Sequence, residues 1–194
     1  MKTIVFATNN PNKAAEVSSM LGGSYEVKTL KEIGCFEDIP ETSDTLEGNA
    51  YIKSNHVKTH YKMDCFADDT GLEVEALEGQ PGVRSARFAG EDNDSEKNMA
   101  LLLEKLGDND QRQAQFRTVI SLIMDGQEYQ FEGIAKGQIT RQHSGHQGFG
   151  YDPIFQPEGY DRTFAEMTVE EKNAISHRGK AVRKLIDFLK KMQG

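Results

Sequence analysis

Three short stretches of the chain hold residue types that could do chemistry. In FATNNPNKAAEV, Phe6–Val17, an apolar strand ends in Asn9, Asn10, Pro11 and Asn12, and Lys13 follows in the first turn of an amphipathic helix. A helix N-terminus carries about half a positive charge, so a cation there is mildly repelled. An anion held between Lys13 and the free backbone N–H groups of that turn would reverse the sign, and a phosphate suits both. Asparagine visits φ > 0 more readily than other side-bearing residues, so it can replace the glycine such loops usually contain. The same residues also fit a polar turn followed by a solvated lysine, and the P-loop pattern G-x-x-x-x-G-K-[ST] is absent.

The second stretch is ADDTG, Ala67–Gly71, where two adjacent carboxylates end an apolar run. Burying both is costly unless their charge is met. A hard divalent cation takes oxygen ligands and would meet it, with Glu41 and Glu16 as further donors. An Asp-rich turn capped by Gly71 is the competing interpretation. The third stretch is GFGYDP, Gly148–Pro153, followed by Lys172 and SHRGK, Ser176–Lys180. Phe149 and Tyr151 could offer a stacking face to a base, and Asp152 could accept from a base N–H. His177 and Arg178 repeat the Lys13 anomaly by setting cations at a helix N-terminus, although a capped surface helix would look the same.

These groups need elements to position them. Strand Thr3–Thr8 precedes a helix with Ala14, Val17 and Leu21 inward, stopped by Gly22 and Gly23, and Tyr25–Lys28 reads as a strand. Leu46–Tyr61 is predicted as a helix facing the core with Leu46, Ala50, Val57 and Tyr61. Cys65–Ala67 is expected to be a strand ending at Asp68, and Glu73–Leu77 a separate one. Turns follow at Gly79, Pro81 and Gly82, and Ser95 could cap a helix reaching Leu106. Asp125-Gly126 between Ala114–Met124 and Glu128–Lys136 signals a long hairpin, which could form a second lobe. A glycine-rich loop (Gly145, Gly148, Gly150) precedes Tyr151. Thr168 and Glu171 form a capping box, and a last helix from about Ser176 carries Val182, Leu185, Ile186 and Leu189 inward. The class is α/β with a mixed sheet and flanking helices.

The 194 residues suffice for one large domain or two small lobes. A net charge of −8 argues against general nucleic-acid binding. Cys35 and Cys65 make no disulfide framework and suggest a reducing cytosol. The N-terminal run is too short and too weakly basic for a secretory signal, and no apolar run approaches the ~18 residues of a membrane span.

Together, FATNNPNKAAEV, ADDTGLEVEALEGQPGVRSARFAGED, GFGYDPIFQPEGY and EEKNAISHRGKA resemble the inosine triphosphate pyrophosphatase family, the noncanonical purine NTP pyrophosphohydrolases. The resemblance spans nearly the whole chain. It implies one catalytic domain over 1–194, an elongated mixed α/β fold of two lobes with a central substrate cleft, a cytoplasmic homodimer, and Mg²⁺-dependent cleavage of ITP, dITP and XTP to monophosphate and pyrophosphate. Carried over by motif, Thr8, Asn9, Asn10, Pro11, Asn12 and Lys13 would line the triphosphate, with Lys53 from NAYIKS as a second cation. Asp69 would be the catalytic acid/base residue and, with Glu41, a metal ligand, while Thr70 would touch the substrate. Phe149, Gly150, Tyr151, Asp152, Lys172, His177 and Arg178 would hold the nucleotide and its base. Asn9 departs from a usual glycine and Gly48 from a frequent acidic residue, a change expected to loosen the helix. A dTTP/UTP pyrophosphatase of the related septum-inhibitor type and a nucleotide-binding module without catalysis are the alternatives.

Overall fold

The computed structural model describes residues 2–21, 23 and 25–193. Seven strands form a mixed sheet in the order β2-β1-β3-β5-β6-β7, with β4 on β3. They are β1 (Lys2–Phe6), β2 (Tyr25–Thr29), β3 (Cys65–Val74), β4 (Pro81–Gly82), β5 (Gln113–Met124), β6 (Gln127–Ile139) and β7 (Phe155–Pro157). Among the described residues, five helices accompany them: α1 (Pro11–Leu21), α2 (Leu46–Tyr61), α3 (Ser95–Leu106), α4 (Val169–Ile175) and α5 (His177–Gln193). Strand β1 runs parallel to β2 and β3, whereas β4 pairs antiparallel with β3 and β7 with β6.

The chain divides into two compact units. The first holds residues 1–69, 118–133 and 179–194. Its central strands are buried on both faces, as parallel strands usually are. Ile4, Phe6 and Phe66 join Val17, Ile120 and Leu185 on one side, while Val5, Ala7, Cys65 and Ala67 join Val57 on the other. Phe6 and Phe66 stack at 4.6 Å between centroids. The second unit holds residues 70–117 and 134–178. There α3 sets Met99, Leu102 and Leu106 among Leu72, Phe155 and Phe164.

Most predicted elements are present, and α2 has the predicted bounds. Gly22, one of the expected stops for α1, lies outside the described residues. Four expectations are corrected. Strand β3 does not end at Asp68 but runs unbroken to Val74, so the Asp-rich turn does not exist and Glu75–Leu77 is a 3-10 turn. Asp94, not Ser95, caps α3, its carboxylate accepting from Lys97 N–H. The hairpin turn is as read, with Asp125 at φ 52° and Gly126 at φ 79°, but the hairpin is no lobe of its own. Residues 118–133 belong to the first unit and the strand ends beyond them to the second. Finally, Asn9, Asn10 and Asn12 are not among the described residues with positive φ. Asn10 serves instead as the cap of α1, its Oδ1 accepting from Asn12 N–H at 3.0 Å and Lys13 N–H at 3.2 Å.

Candidate active site

Within the first unit, β3 and the two lysines build an ionic cluster. Successive strand residues point to opposite faces, so Asp68 and Asp69 diverge although adjacent in sequence. Lys13 Nζ lies 3.3 Å from Asp68 Oδ1. Lys53, on α2, donates to the Asp68 carbonyl at 2.6 Å and pairs with Glu41 at 2.9 Å and Asp69 Oδ1 at 3.9 Å. The Lys13 anomaly therefore has a partner inside the protein, and the adjacent acids are met by separate cations. Neither was visible in the sequence, where Lys13 and Asp68 stand 55 residues apart.

Asp69 is the exceptional member. Its Oδ2 is buried and accepts no hydrogen bond from the described residues. Burial pushes its carboxyl up to about 6, against the pull of Lys53, with Glu41 adding to the rise. Burial alone would lower the Lys53 ammonium, but Asp69, Glu41 and Asp68 around it outweigh this and raise it. Three carboxylates thus gather around two lysines, and one Asp69 oxygen has no hydrogen-bond partner among the described residues. Carboxylate oxygens suit a hard divalent cation, and Asp69 and Glu41 could hold one. Glu16 is half-buried on α1.

Thr8 is buried two residues past β1, which ends at Phe6 and not at the expected Thr8, and its Oγ1 accepts from Asn10 N–H at 3.0 Å, while Asn9, Pro11 and Asn12 are exposed. Gly48 has a packing reason. Thr45 caps α2 by accepting from Gly48 N–H, and a Cβ on Gly48 would collide with the Ser43 hydroxyl bonded to Thr45 N–H.

The second cluster lies wholly in the second unit. Lys172, on α4, donates to Asp152 Oδ2 at 2.7 Å, and the same oxygen takes Phe149 N–H at 3.0 Å. Gly148 and Gly150 supply the positive φ of this loop, and a Cβ on Gly148 would strike the Asp152 carboxylate. The Phe149 ring faces Lys172 Nζ at 4.6 Å and Arg178 Cζ at 5.3 Å from its centroid. Arg178 in turn donates to Thr70 Oγ1 at 3.5 Å. His177 stacks on Phe116 at 4.5 Å, a contact that sequence reasoning missed because Phe116 reads as an ordinary strand residue. Tyr151 offers no free stacking face. Its ring is buried in the core and its hydroxyl donates to the Ser85 carbonyl at 2.6 Å.

The structure thus brings Lys13, Lys53, Glu41 and Asp69 together around Asp68, and Phe149, Asp152, Lys172, Arg178 and Thr70 into a second group. Among the described residues, no helix is long and apolar enough to cross a membrane.

Known proteins share this arrangement of sequence and fold. A protein of Flavobacterium johnsoniae named dITP/XTP pyrophosphatase is 58% identical over 186 residues, covering 96% of this chain and 97% of that one. Its namesake in Flavobacterium psychrophilum is 59% identical over 187 residues, covering 96% and 98%. Among solved structures, the Ham1 protein of Staphylococcus aureus superposes with a TM-score of 0.91 at 41% identity, covering 98% of this chain and all of that one. The Ham1 family model itself matches residues 4–188, and the chain belongs to the Ham1 family.

Proposed function

We infer that this chain is a nucleoside-triphosphate pyrophosphatase that hydrolyses noncanonical purine nucleotides (dITP, XTP and ITP) to the monophosphate and pyrophosphate. The printed activity of its relatives supports the substrate class. The observation that carries the chemistry is Asp69, a buried carboxylate with one oxygen free of hydrogen bonds among the described residues and a pKa pushed by burial up to about 6. A group so tuned is ionised at pH 7 and still basic enough to take a proton from water.

Water attacks the α-phosphorus, the bond to the bridging oxygen breaks, and pyrophosphate leaves with that oxygen. Asp69 holds the proton lost by the attacking water. Lys13 and Lys53 balance charge growing on the leaving group. The Thr8 hydroxyl and the side-chain amides of Asn9, Asn10 and Asn12 supply donors to the phosphates, on a turn shaped by Pro11 whose Asn12 and Lys13 N–H groups Asn10 already takes. Mg²⁺ held by Asp69 and Glu41 would supply Lewis-acid stabilisation of phosphate oxygens when bound.

Base choice falls to the second cluster. Hypoxanthine and xanthine present an N1–H donor and an O6 acceptor, and the Arg178 guanidinium suits O6. Asp152, whose Oδ2 already takes Lys172 and Phe149 N–H, orders the loop Phe149–Tyr151 that receives the base. Thr70 and His177 steady Arg178 and the start of α5. The whole chain acts as one catalytic domain, as a homodimer, in the cytosol. The two free cysteines suit that compartment, and the acidic balance gives no footing to nucleic acid.

Pyrophosphate release measured on ITP, dITP, XTP, GTP, ATP and dTTP, with and without Mg²⁺, tests this function. Release from the three noncanonical purines, lost in EDTA, supports it. A dTTP preference would move the chain to the septum-inhibitor type, and ITP binding without pyrophosphate release would make it a binding module.

A further inference from the structure

A third cluster in the first unit plays no part in this chemistry. Cys35, Glu37 and His56 offer a thiol sulfur, a carboxylate oxygen and an imidazole nitrogen within 4.8 Å of one another. Cys35 Sγ donates to Glu37 Oε1 at 3.7 Å, and His56 Nε2 lies 2.8 Å from the same oxygen. The left-handed Gly34, at φ 79°, turns the chain out of the 3-10 turn Lys31–Ile33 and into Cys35. The sulfur is buried on the protein side, while the Glu37 side chain is 55% exposed and that of His56 20%, so an ion has an approach from solvent. His56 is held for this role by the next turn of α2. Its backbone carbonyl bonds His60 Nδ1 at 2.9 Å, and the two rings lie 4.3 Å apart.

We propose that Cys35, Glu37 and His56 form a site for a borderline divalent cation of the zinc class, distinct from the hard-cation ligands Asp69 and Glu41. A mixed S, N, O donor set is what such ions take, and hard ions such as Mg²⁺ refuse thiolate. Ligand distances of about 2.0–2.3 Å in a tetrahedron require donor separations of roughly 3.3–3.7 Å. The Cys35–Glu37 pair is at the edge of that range, the Glu37–His56 pair opens to it with a rotation of the exposed Glu37, and Cys35 and His56, within 4.8 Å, close to it with a turn of the imidazole. On binding, the thiol proton passes to solvent, the sulfur and imidazole nitrogen bond the ion, and water fills the fourth position. The ion would tie the segment leading to Glu41 onto α2, one turn beyond Lys53.

Cobalt(II) is the probe, because thiolate ligation gives it a near-ultraviolet charge-transfer band. The full-length protein should bind one Co²⁺ per chain with that band, release protons as it does so, and lose the band to added Zn²⁺. Cys35→Ser should abolish the band, and His56→Gln, which leaves the buried sulfur in place, should weaken affinity at least about tenfold. Cys65→Ser should keep it, since that thiol donates elsewhere, to the Ser54 carbonyl at 3.1 Å. Asp69→Asn, which disables the catalytic carboxylate, should also keep it, so failure here and failure of the pyrophosphatase proposal remain separable. Absence of the band in the parent, its survival in Cys35→Ser, or its loss in Cys65→Ser would each overturn the site.

Discussion

At the scale of single residues, chemistry is set by which charges the fold leaves uncompensated. Asp68 and Lys13 neutralise each other, whereas Asp69 is driven toward its neutral form by burial. The direction fixes a pH dependence. A carboxyl raised from 3.8 to about 6 favours the native state below pH about 4, and that contribution drains away as pH climbs to about 6. At neutral pH the ionised Asp69 therefore costs up to about 3 kcal/mol. Metal-free Asp69→Asn should match the parent near pH 4 and exceed it in stability at pH 8, by denaturant titration in EDTA, while ITP turnover drops by ~10²–10⁴. Equal stability at pH 8 would mean that the carboxylate is not strained. The buried pair in the other unit behaves oppositely. Asp152→Asn removes a buried charge 2.7 Å from Lys172 Nζ, and breaking such a pair should cost about 3–5 kcal/mol. Thermal unfolding of the variant checks this, and an unchanged midpoint would show that the pair carries no structural weight.

At the scale of elements, short segments aim these residues, and their ends matter. Helix α4 has only 7 residues and carries Lys172, so its capping box at Thr168 and Glu171 holds much of what fixes it. Thr168→Ala should cost about 1 kcal/mol and raise KM for ITP more than it lowers kcat, whereas Thr168→Ser should restore both. A change in kcat alone would detach the cap from substrate positioning. This capping box is legible in the sequence because its signal is local, as are the bounds of α2, the hairpin turn at Asp125-Gly126 and the apolar stripe of α5, whereas the cap of α3 lies one residue before the expected Ser95. Strand β3 is not legible, because Asp-Asp-Thr-Gly has turn chemistry in isolation. Its extended form depends on its place between β1 and β5 and on Lys13 and Lys53, which sequence spacing does not bring near. The candidate residues were legible by type, but their pairings were not. The sequence does not show that Lys13 has Asp68 beside it, and it offers Tyr151 as a stacking face although the ring belongs to the core.

At the scale of the whole molecule, each unit has its own apolar core and its own charged cluster, and the two clusters differ in kind. The first, around Lys13, Lys53, Glu41 and Asp69, is a set of point charges suited to phosphates and a cation, which every nucleoside triphosphate shares. The second holds a planar guanidinium and a loop pinned by Asp152, suited to the base, which differs from one nucleotide to the next. Variants should divide along the same line. Glu41→Gln should lower kcat/KM for ITP, XTP and ATP by a common factor, because it touches only what they have in common. Arg178→Lys keeps the charge and loses the flat fork, so it should narrow the ITP-to-ATP ratio of kcat/KM by at least about tenfold. The double variant should carry the common loss of the first and the altered ratio of the second. If Glu41→Gln shifts the ratio as far as Arg178→Lys does, phosphate and base recognition are not divided between the two clusters, and the roles assigned to them here fall together.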